Sequence, residues 1–400
     1  MTDKEKLVPS LEKITKSRCT GCGACANACP TKAITMEKNE EFFLEPVLDV
    51  DKCIGCNKCV QVCPVINTRK EENEVICYGL KATDEEIILK SSSGGAFTLL
   101  VNEFARQHPD NFYVVGVVYE DDFRSVKHIC TNDMRKIDRM RISKYVQSDK
   151  KNIYNEVKDK LVKGDYVMFT GTPCEIMALN RFLCRAYSNL LTVDIICKGP
   201  TTPKALEDFV TWMEKKKKSK VTDINMRYKW KELDCWIPQY IRVSFNDKKP
   251  FIKEFYNTYV GNVFKILQRK SCGDCPVGIY THDSDITMGD QHAANRDEVY
   301  YNKLGTSVLL VNTQKGKDFF ADIDEKVYVK EEITIDKVYG RNRNHVHHKR
   351  DMLSEEIKKQ SNTIKGVKKV LSIKDKAKMI VPRSVVRKAT VLYRKMIGYK

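Results

Sequence analysis

Eight of the sixteen cysteines in this chain fall into two copies of one spacing. Cys19, Cys22, Cys25 and Cys29 precede Pro30, and Cys53, Cys56, Cys59 and Cys63 precede Pro64. Each run reads C-x2-C-x2-C-x3-C-P, the pattern by which two-cluster ferredoxins hold cubane iron–sulfur centres. Three thiolates two residues apart cap three irons from one loop, while the fourth lies too far along and ligates the other cluster. The expectation is one 4Fe-4S centre on Cys19, Cys22, Cys25 and Cys63, and a second on Cys53, Cys56, Cys59 and Cys29. Zinc knuckles and disulfides are the rivals. Neither accounts for the paired prolines or the small fillers Gly21, Gly23 and Ala24.

The other cysteines depend on the elements that carry them. Tyr113–Tyr119, Tyr166–Thr170 and Leu191–Ile196 read as buried strands, and Gly95–Gln107 as a helix with Phe97, Leu100, Val101 and Phe104 on one face. Gly171-Thr172-Pro173 turns into a helix from about Cys174 to Leu183, and Gly199-Pro200 into the helix Pro203–Lys216. Strand, turn, helix, strand, helix predicts a parallel α/β sheet. Cys174 and Cys197 then stand just past the carboxyl ends of parallel strands, where ligand sites of open sheets collect. With the pair Cys272-x2-Cys275-Pro276 they form a four-thiolate set for a third 4Fe-4S centre, zinc being the rival. Cys77, Cys130, Cys184 and Cys235 sit singly in apolar or mixed segments and are expected to be buried, inert thiols. Beyond Val221 the reading is short strands (Tyr240–Phe245, Asp285–Met288, Ser307–Val311) and one helix near Val260–Arg269.

The fold class expected is α/β with three parts. Residues 1–70 form a bacterial-ferredoxin-like dicluster domain, with Phe42, Phe43 and Leu44 packing as a hairpin under the clusters and Lys70–Glu74 as a charged hinge. Residues 75–340 form a mixed α/β flavin and iron–sulfur domain, and 341–400 a basic, partly helical tail. The net charge of +17 is uneven: residues 341–400 hold 18 Lys or Arg against four acids, which leaves +3 for the other 340. A body so nearly neutral argues against nucleic acid as a partner. In the tail, Val385, Ala389, Leu392 and Met396 share a helical face opposite Arg387, Arg394 and Lys395. That face suits an anionic membrane surface or an acidic partner, with a solvated tail as the alternative.

Five segments resemble the coenzyme F-420 hydrogenase/dehydrogenase beta-subunit family: Ser91–Phe97, Ser143–Ser148, Thr170–Cys174, Lys270–Pro276 and Ser284–Asp290. The resemblance covers about residues 1–330, and the tail lies outside it. It implies FAD beside a 4Fe-4S cluster held by Cys174, Cys197, Cys272 and Cys275. It also implies flavin contacts from Ser92, Ser93, Gly94, Gly95, Lys144, Tyr145, Gln147, Ser148, Gly171, Thr172, Pro173 and Asp290. Serine hydroxyls and glycine amides ahead of a helix would present donors to a pyrophosphate. Lys144 would offset the charge of a reduced flavin. Where the family continues after Gly289-Asp290 with an aromatic residue and Trp-Gly, this chain has Gln291-His292-Ala293-Ala294. His292 is therefore the candidate proton donor, and the preference for coenzyme F-420 is not carried over.

The function expected is an iron–sulfur flavoprotein oxidoreductase, taking electrons from a ferredoxin-type donor through the clusters to FAD and on to an organic acceptor. Two alternatives stand beside it. One is an electron-transfer beta subunit docked to a catalytic partner; the other is an accessory protein of bacterial surface-polysaccharide synthesis. No apolar run approaches the roughly 18 residues of a membrane span, and the opening Asp3-Lys4-Glu5-Lys6 is unlike a signal peptide. A cytoplasmic place is expected, with the tail raising a peripheral one at the inner membrane face. No carboxylate pair, serine triad or P-loop is present.

Overall fold

The computed structural model describes residues 18–66, 75–277, 282–339 and 346–380. In the front module, β1 (Ile34–Lys38) and β2 (Leu44–Leu48) form an antiparallel hairpin. The short helices Ala24–Ala28 and Lys58–Gln61 lie within the two cysteine runs and carry Cys25 and Cys59.

Behind it lies an eight-stranded sheet. Its strands are β3 (Ile76–Ala82), β4 (Phe112–Tyr119), β5 (Val126–Thr131), β6 (Tyr166–Gly171), β7 (Leu190–Ile195), β11 (Ile286–Asp290), β12 (Ser307–Val311) and β13 (Tyr328–Glu332). They lie in the order β13-β3-β12-β11-β7-β6-β4-β5. The four central strands β11, β7, β6 and β4 run parallel, and both flanks are antiparallel. Val167, Met168 and Phe169 of β6 are wholly buried. A parallel strand covered on both faces calls for such a continuous apolar run. A smaller antiparallel sheet, β8 (Val221–Tyr228), β9 (Tyr240–Phe245) and β10 (Phe251–Glu254), packs with the helices Pro203–Lys217 and Tyr259–Ile266.

Two expectations about packing give way. Phe43 does not lie under clusters: it is 1% exposed, in the core formed by the Pro203 and Tyr259 helices, with the Arg269 guanidinium 4.7 Å from its ring. The hairpin is thus a plug in the larger domain. Nor is the described part of the tail an appendage. Leu353, Ile357 and Val367, on the helices Arg350–Gln360 and Thr363–Val370, are fully buried in that same core. Apolar spacing at 353, 357, 364, 367 and 370 drives this packing, and basic residues fill the outer faces. Arg350, 3% exposed, grips Glu41 of the hairpin with two nitrogens at 3.0 and 2.6 Å. The hinge at 70–74 and the face Val385, Ala389, Leu392 and Met396 lie outside the described residues. Among the described residues no helix is long and apolar enough to cross a membrane.

Candidate functional site: a line of thiol cages and an adjoining cleft

Left-handed backbone shapes the two cysteine loops: φ is +69° at Gly21, +77° at Gly23, +69° at Gly55 and +56° at Asn57. Glycine reaches that region without the Cβ clash other residues meet. The first loop folds around a small cavity of about 20 Å³ lined by Cys19, Cys22, Cys25 and, from the second run, Cys63. Burial pushes the Cys22 thiol up to about 12, and Cys19 and Cys63 add to the rise. Burial also raises Cys25, with Cys22, Cys19 and Cys63 as its nearest charged neighbours. Cys29 turns away from this cavity into an apolar cluster with Ile34 and Cys59. Burial raises the Cys59 thiol, and Cys53 and Cys56 act on it after that. Cys56 is exposed.

At the sheet edge, β6 and β7 pair with Gly171 opposite Asp194, so their carboxyl ends are neighbours. Thr172 begins the helix Pro173–Leu183, its amide donating to Glu175 Oε2 at 2.8 Å. Cys174 lies on the first turn of that helix. Cys197 follows β7, and Gly199, at φ +91°, lets the chain pass against Cys272 with no room for a Cβ. The Cys197 thiol is raised by burial first, then by Cys272, Cys174 and Cys275. Cys174 is raised to about 12 by burial, then by Glu175 and by Cys22 of the front cage. The front cage and the sheet-edge thiols are therefore neighbours.

Among the described residues no group of three or more His, Cys, Asp or Glu is placed to hold a metal ion. The four front thiols instead surround a cavity. That arrangement is foreign to zinc, which draws its sulfurs to about 2.3 Å of one centre. A cavity walled by four thiols and apolar side chains suits a cube with sulfur-coordinated irons.

The front loop is seated by residues of the α/β domain. Ser271 Oγ donates to Cys19 O at 2.9 Å and Tyr154 Oη to Cys22 O at 2.8 Å. Gln147, expected at the flavin, belongs to this seat. Its Nε2 donates to Gly21 O and Leu44 O at 3.2 and 3.0 Å, and its Oε1 accepts from Leu44 N at 2.7 Å. Ser148 is likewise engaged elsewhere, meeting His128 Nδ1 at 3.0 Å and the Lys150 amine at 3.1 Å.

The remaining flavin candidates divide. Tyr145 has φ +58°, so a turn interrupts the strand-like alternation of 144–148. Its hydroxyl faces Arg227, which also holds Asp290 at 2.7 Å and Ser92 O at 2.8 Å. The serine hydroxyls expected to meet a pyrophosphate are bonded within the protein, Ser92 to Ser143 and Ser93 to Ser307. Gly94 N is bonded to Ser307 Oγ, while Gly95 begins the helix Ala96–Gln107 at φ +103°. Gly171 and Thr172 border Cys174, and Pro173 is buried in the first turn. The Lys144 amine is buried on the carbonyls of Arg139 and Ile142 at 2.9 and 2.7 Å, and burial lowers its pKa to about 7.

Sequence reading missed Arg227 and Lys229. Both are buried, and Lys229 Nζ donates to Ser93 O at 2.9 Å. The two cations face one carboxylate, Asp290. Burial, then Arg227, drives the Lys229 pKa well down, with Asp290 opposing. Nothing in an R-x-K at the end of a strand announces this. Two buried basic groups against one carboxylate fit an anionic ligand group such as a phosphate, whose charge would favour the protonated Lys229.

His292 lines an open cleft of about 270 Å³ together with Cys235, Trp236, Gln291, Arg296 and Tyr301. Its ring stacks on Trp236 at 5.2 Å and 16°, and its Nε2 lies 3.6 Å from Asp290 Oδ2. Burial lowers the His292 pKa, against the pull of Asp290. Of the four single cysteines, Cys77 is buried and Cys130 and Cys235 are half-buried, but Cys184 is exposed at a helix end in left-handed backbone, φ +58°.

A ferredoxin-like dicluster front joined to an α/β sheet with thiols at its carboxyl edge defines a class of iron–sulfur electron-transfer protein. Residues 18–67 and 45–90 match two family models of the 4Fe-4S dicluster domain. Residues 164–337 match the model of the C-terminal region of the coenzyme F420 hydrogenase/dehydrogenase beta subunit. A chain of the F420-reducing [NiFe] hydrogenase complex from Methanosarcina barkeri, solved in a xenon-derivatised form, is similar at 17% identity and a TM-score of 0.44, over 76% of this chain and 92% of that one. No curated protein matches.

Proposed function

We propose that this chain is an iron–sulfur flavin oxidoreductase in which three thiol cages pass single electrons toward a flavin and an organic acceptor. The observation that carries the reading is the sequence of cages: the exposed Cys56 loop, the cavity of Cys19, Cys22, Cys25 and Cys63, and the Cys174 group, with Cys22 and Cys174 within reach of each other's charge. Cys174, Cys197, Cys272 and Cys275 are the residues that would hold the third centre. Arg227 and Lys229, fixed on the carbonyls of Ser92 and Ser93, would hold the flavin's phosphates, and Tyr145 and Asp290 orient Arg227. A bound flavin would exchange electrons singly with the clusters and in pairs with the acceptor. His292, open to the cleft and beside Asp290, is placed to hold a proton for that acceptor, and Trp236 fixes its ring. Tyr154, Phe169 and Phe182 pack behind the front cage and keep water from it.

The test is composition. Protein purified without oxygen is expected to hold about twelve irons, four in each of three cubes, with matching acid-labile sulfide and one flavin. Iron near eight removes the third cage; no sulfide removes the reading.

A second reading follows from the family description, which is that of a beta subunit. The chain would then deliver electrons to a docked catalytic partner and have no acceptor of its own. Reduced protein that no small acceptor reoxidises, but a partner does, selects this reading.

A further inference from the structure

Four polar side chains are sealed between the front cage and the Cys174 helix. Lys150, Glu175, His128 and Ser148 are 6%, 5%, 4% and 6% exposed. Lys150 forms an ion pair with Glu175 and donates to Ser148 O and Oγ at 3.0 and 3.1 Å. His128, bonded to Ser148, stands 3.5 Å from Glu175. The two charged residues attach to different cages. The stem of Lys150 lies against Gly23 of the front loop, where a Cβ would come within 3.2 Å of its own Cβ. Glu175 adjoins Cys174 in sequence and caps its helix through the Thr172 amide. After burial, the Glu175 charge acts most strongly on Cys174, and Lys150 opposes the rise at both Cys174 and Cys22.

We propose that Glu175 and Lys150 are positioning residues that set how an electron divides between the front cage and the Cys174 cage. The inference rests on the electron-transfer reading above. Moving one electron between two such centres oxidises one and reduces the other, with no bond made and no proton moved. Fixed charge therefore acts directly on its equilibrium, and a buried charge acts with little screening. The Glu175 carboxylate disfavours added negative charge at the Cys174 end. Lys150 offsets it from the front side. The pair thus holds the electron toward the front until something downstream draws it on.

The experiment is a redox titration followed by electron paramagnetic resonance on the full chain, purified without oxygen. Cys272→Ser identifies the signal of the Cys174 end. Glu175→Gln is expected to move the electron partition about tenfold toward that end, or about 59 mV for one electron. Lys150→Met is expected to lower the front potential where Glu175→Gln raises that of the Cys174 end, and the double variant to move the partition further than either. Opposite signs are the signature, since loosened packing alone has no reason to produce them. Shifts of the same sign, or no shift in either single variant, overturn the proposal.

Glu175→Gln leaves a buried ammonium unpaired and is the variant most prone to misfold. The double variant and Glu175→Asp then carry the test. Asp keeps the charge and is expected to keep the native potentials; a shift like that of Gln overturns the proposal. Iron and sulfide are counted on the same samples. A native protein without the third centre defeats this inference and the function together. Three centres with charge-blind potentials defeat this inference alone.

Discussion

Gln147 gives its amide nitrogen to the carbonyl of Gly21 at 3.2 Å, across 126 residues of sequence. Gly21 has no room for a Cβ, because Gln147 Nε2 and Arg269 Nη2 fill the space it would need. The loop that surrounds the front cavity is therefore shaped from outside, by the α/β domain. Arg269 completes the contact through Leu44 O at 2.8 Å and Glu45 at 2.9 Å.

Gln147→Leu should consequently weaken the front cage without touching a thiol. It strands the Gly21 carbonyl and the Leu44 amide, at about 1–3 kcal/mol for a group left buried and unpaired, while Leu44 O keeps Arg269. We expect a lower thermal midpoint and faster iron release to a chelator. Release at the native rate would show that the seat is idle.

The crossed pairing of the two cysteine runs predicts an asymmetric result. Cys63→Ser should damage the centre shared with Cys19, Cys22 and Cys25, although Cys63 follows Cys53, Cys56 and Cys59 in sequence. Cys29→Ser should damage the more exposed one. Paramagnetic spectra of the two variants are expected to lose different signals. Loss of the same signal in both would reverse the pairing.

Lys229→Met should separate stability from ligand retention. Replacing a buried amine, whose proton burial and Arg227 disfavour, with an apolar chain removes a desolvation cost, so the flavin-free protein is expected to gain about 1 kcal/mol in urea. Flavin retention on gel filtration should fall while iron stays constant. Undiminished flavin would disconnect β8 from the cofactor.

Lys144 gives a pH prediction of definite sign. Its folded pKa, about 7, lies below the unfolded value of about 10.4. Between those values the unfolded chain binds the extra proton, so stability rises with pH, by at most about 1.4 kcal/mol per unit. The native protein should therefore gain on Lys144→Met as pH goes from 7 to 10 in anaerobic urea unfolding. A pH-independent difference would mean that the amine is charged in the fold.

Much of this arrangement was legible in advance. The strands at Tyr166 and Leu190 and the helices at Pro173 and Pro203 follow from buried apolar runs punctuated by Gly-Thr-Pro and Gly-Pro turns, and they bring Cys174 and Cys197 to one edge. The cysteine runs needed only their spacing. What escaped was tertiary. Phe43 in a hairpin looks the same whether it packs under its own loops or into a distant core. Gln147 and Ser148 follow Lys144 in sequence, yet the left-handed turn at Tyr145 sends them toward the front module. Lysine abundance concealed Lys229 in the same way, and the basic count at the end of the chain obscured the apolar spacing of 353–370.

The ion pair of Arg350 with Glu41 joins residues 309 apart. On the ribosome Glu41 emerges 309 residues before Arg350, so the hairpin waits for its clamp until that stretch has emerged. Iron delivery consequently has a long window, in which the nascent loops remain open to a scaffold protein, and that window shuts when the final helices dock. Chains stopped before residue 346 should keep accepting and losing iron where the full polypeptide has sealed.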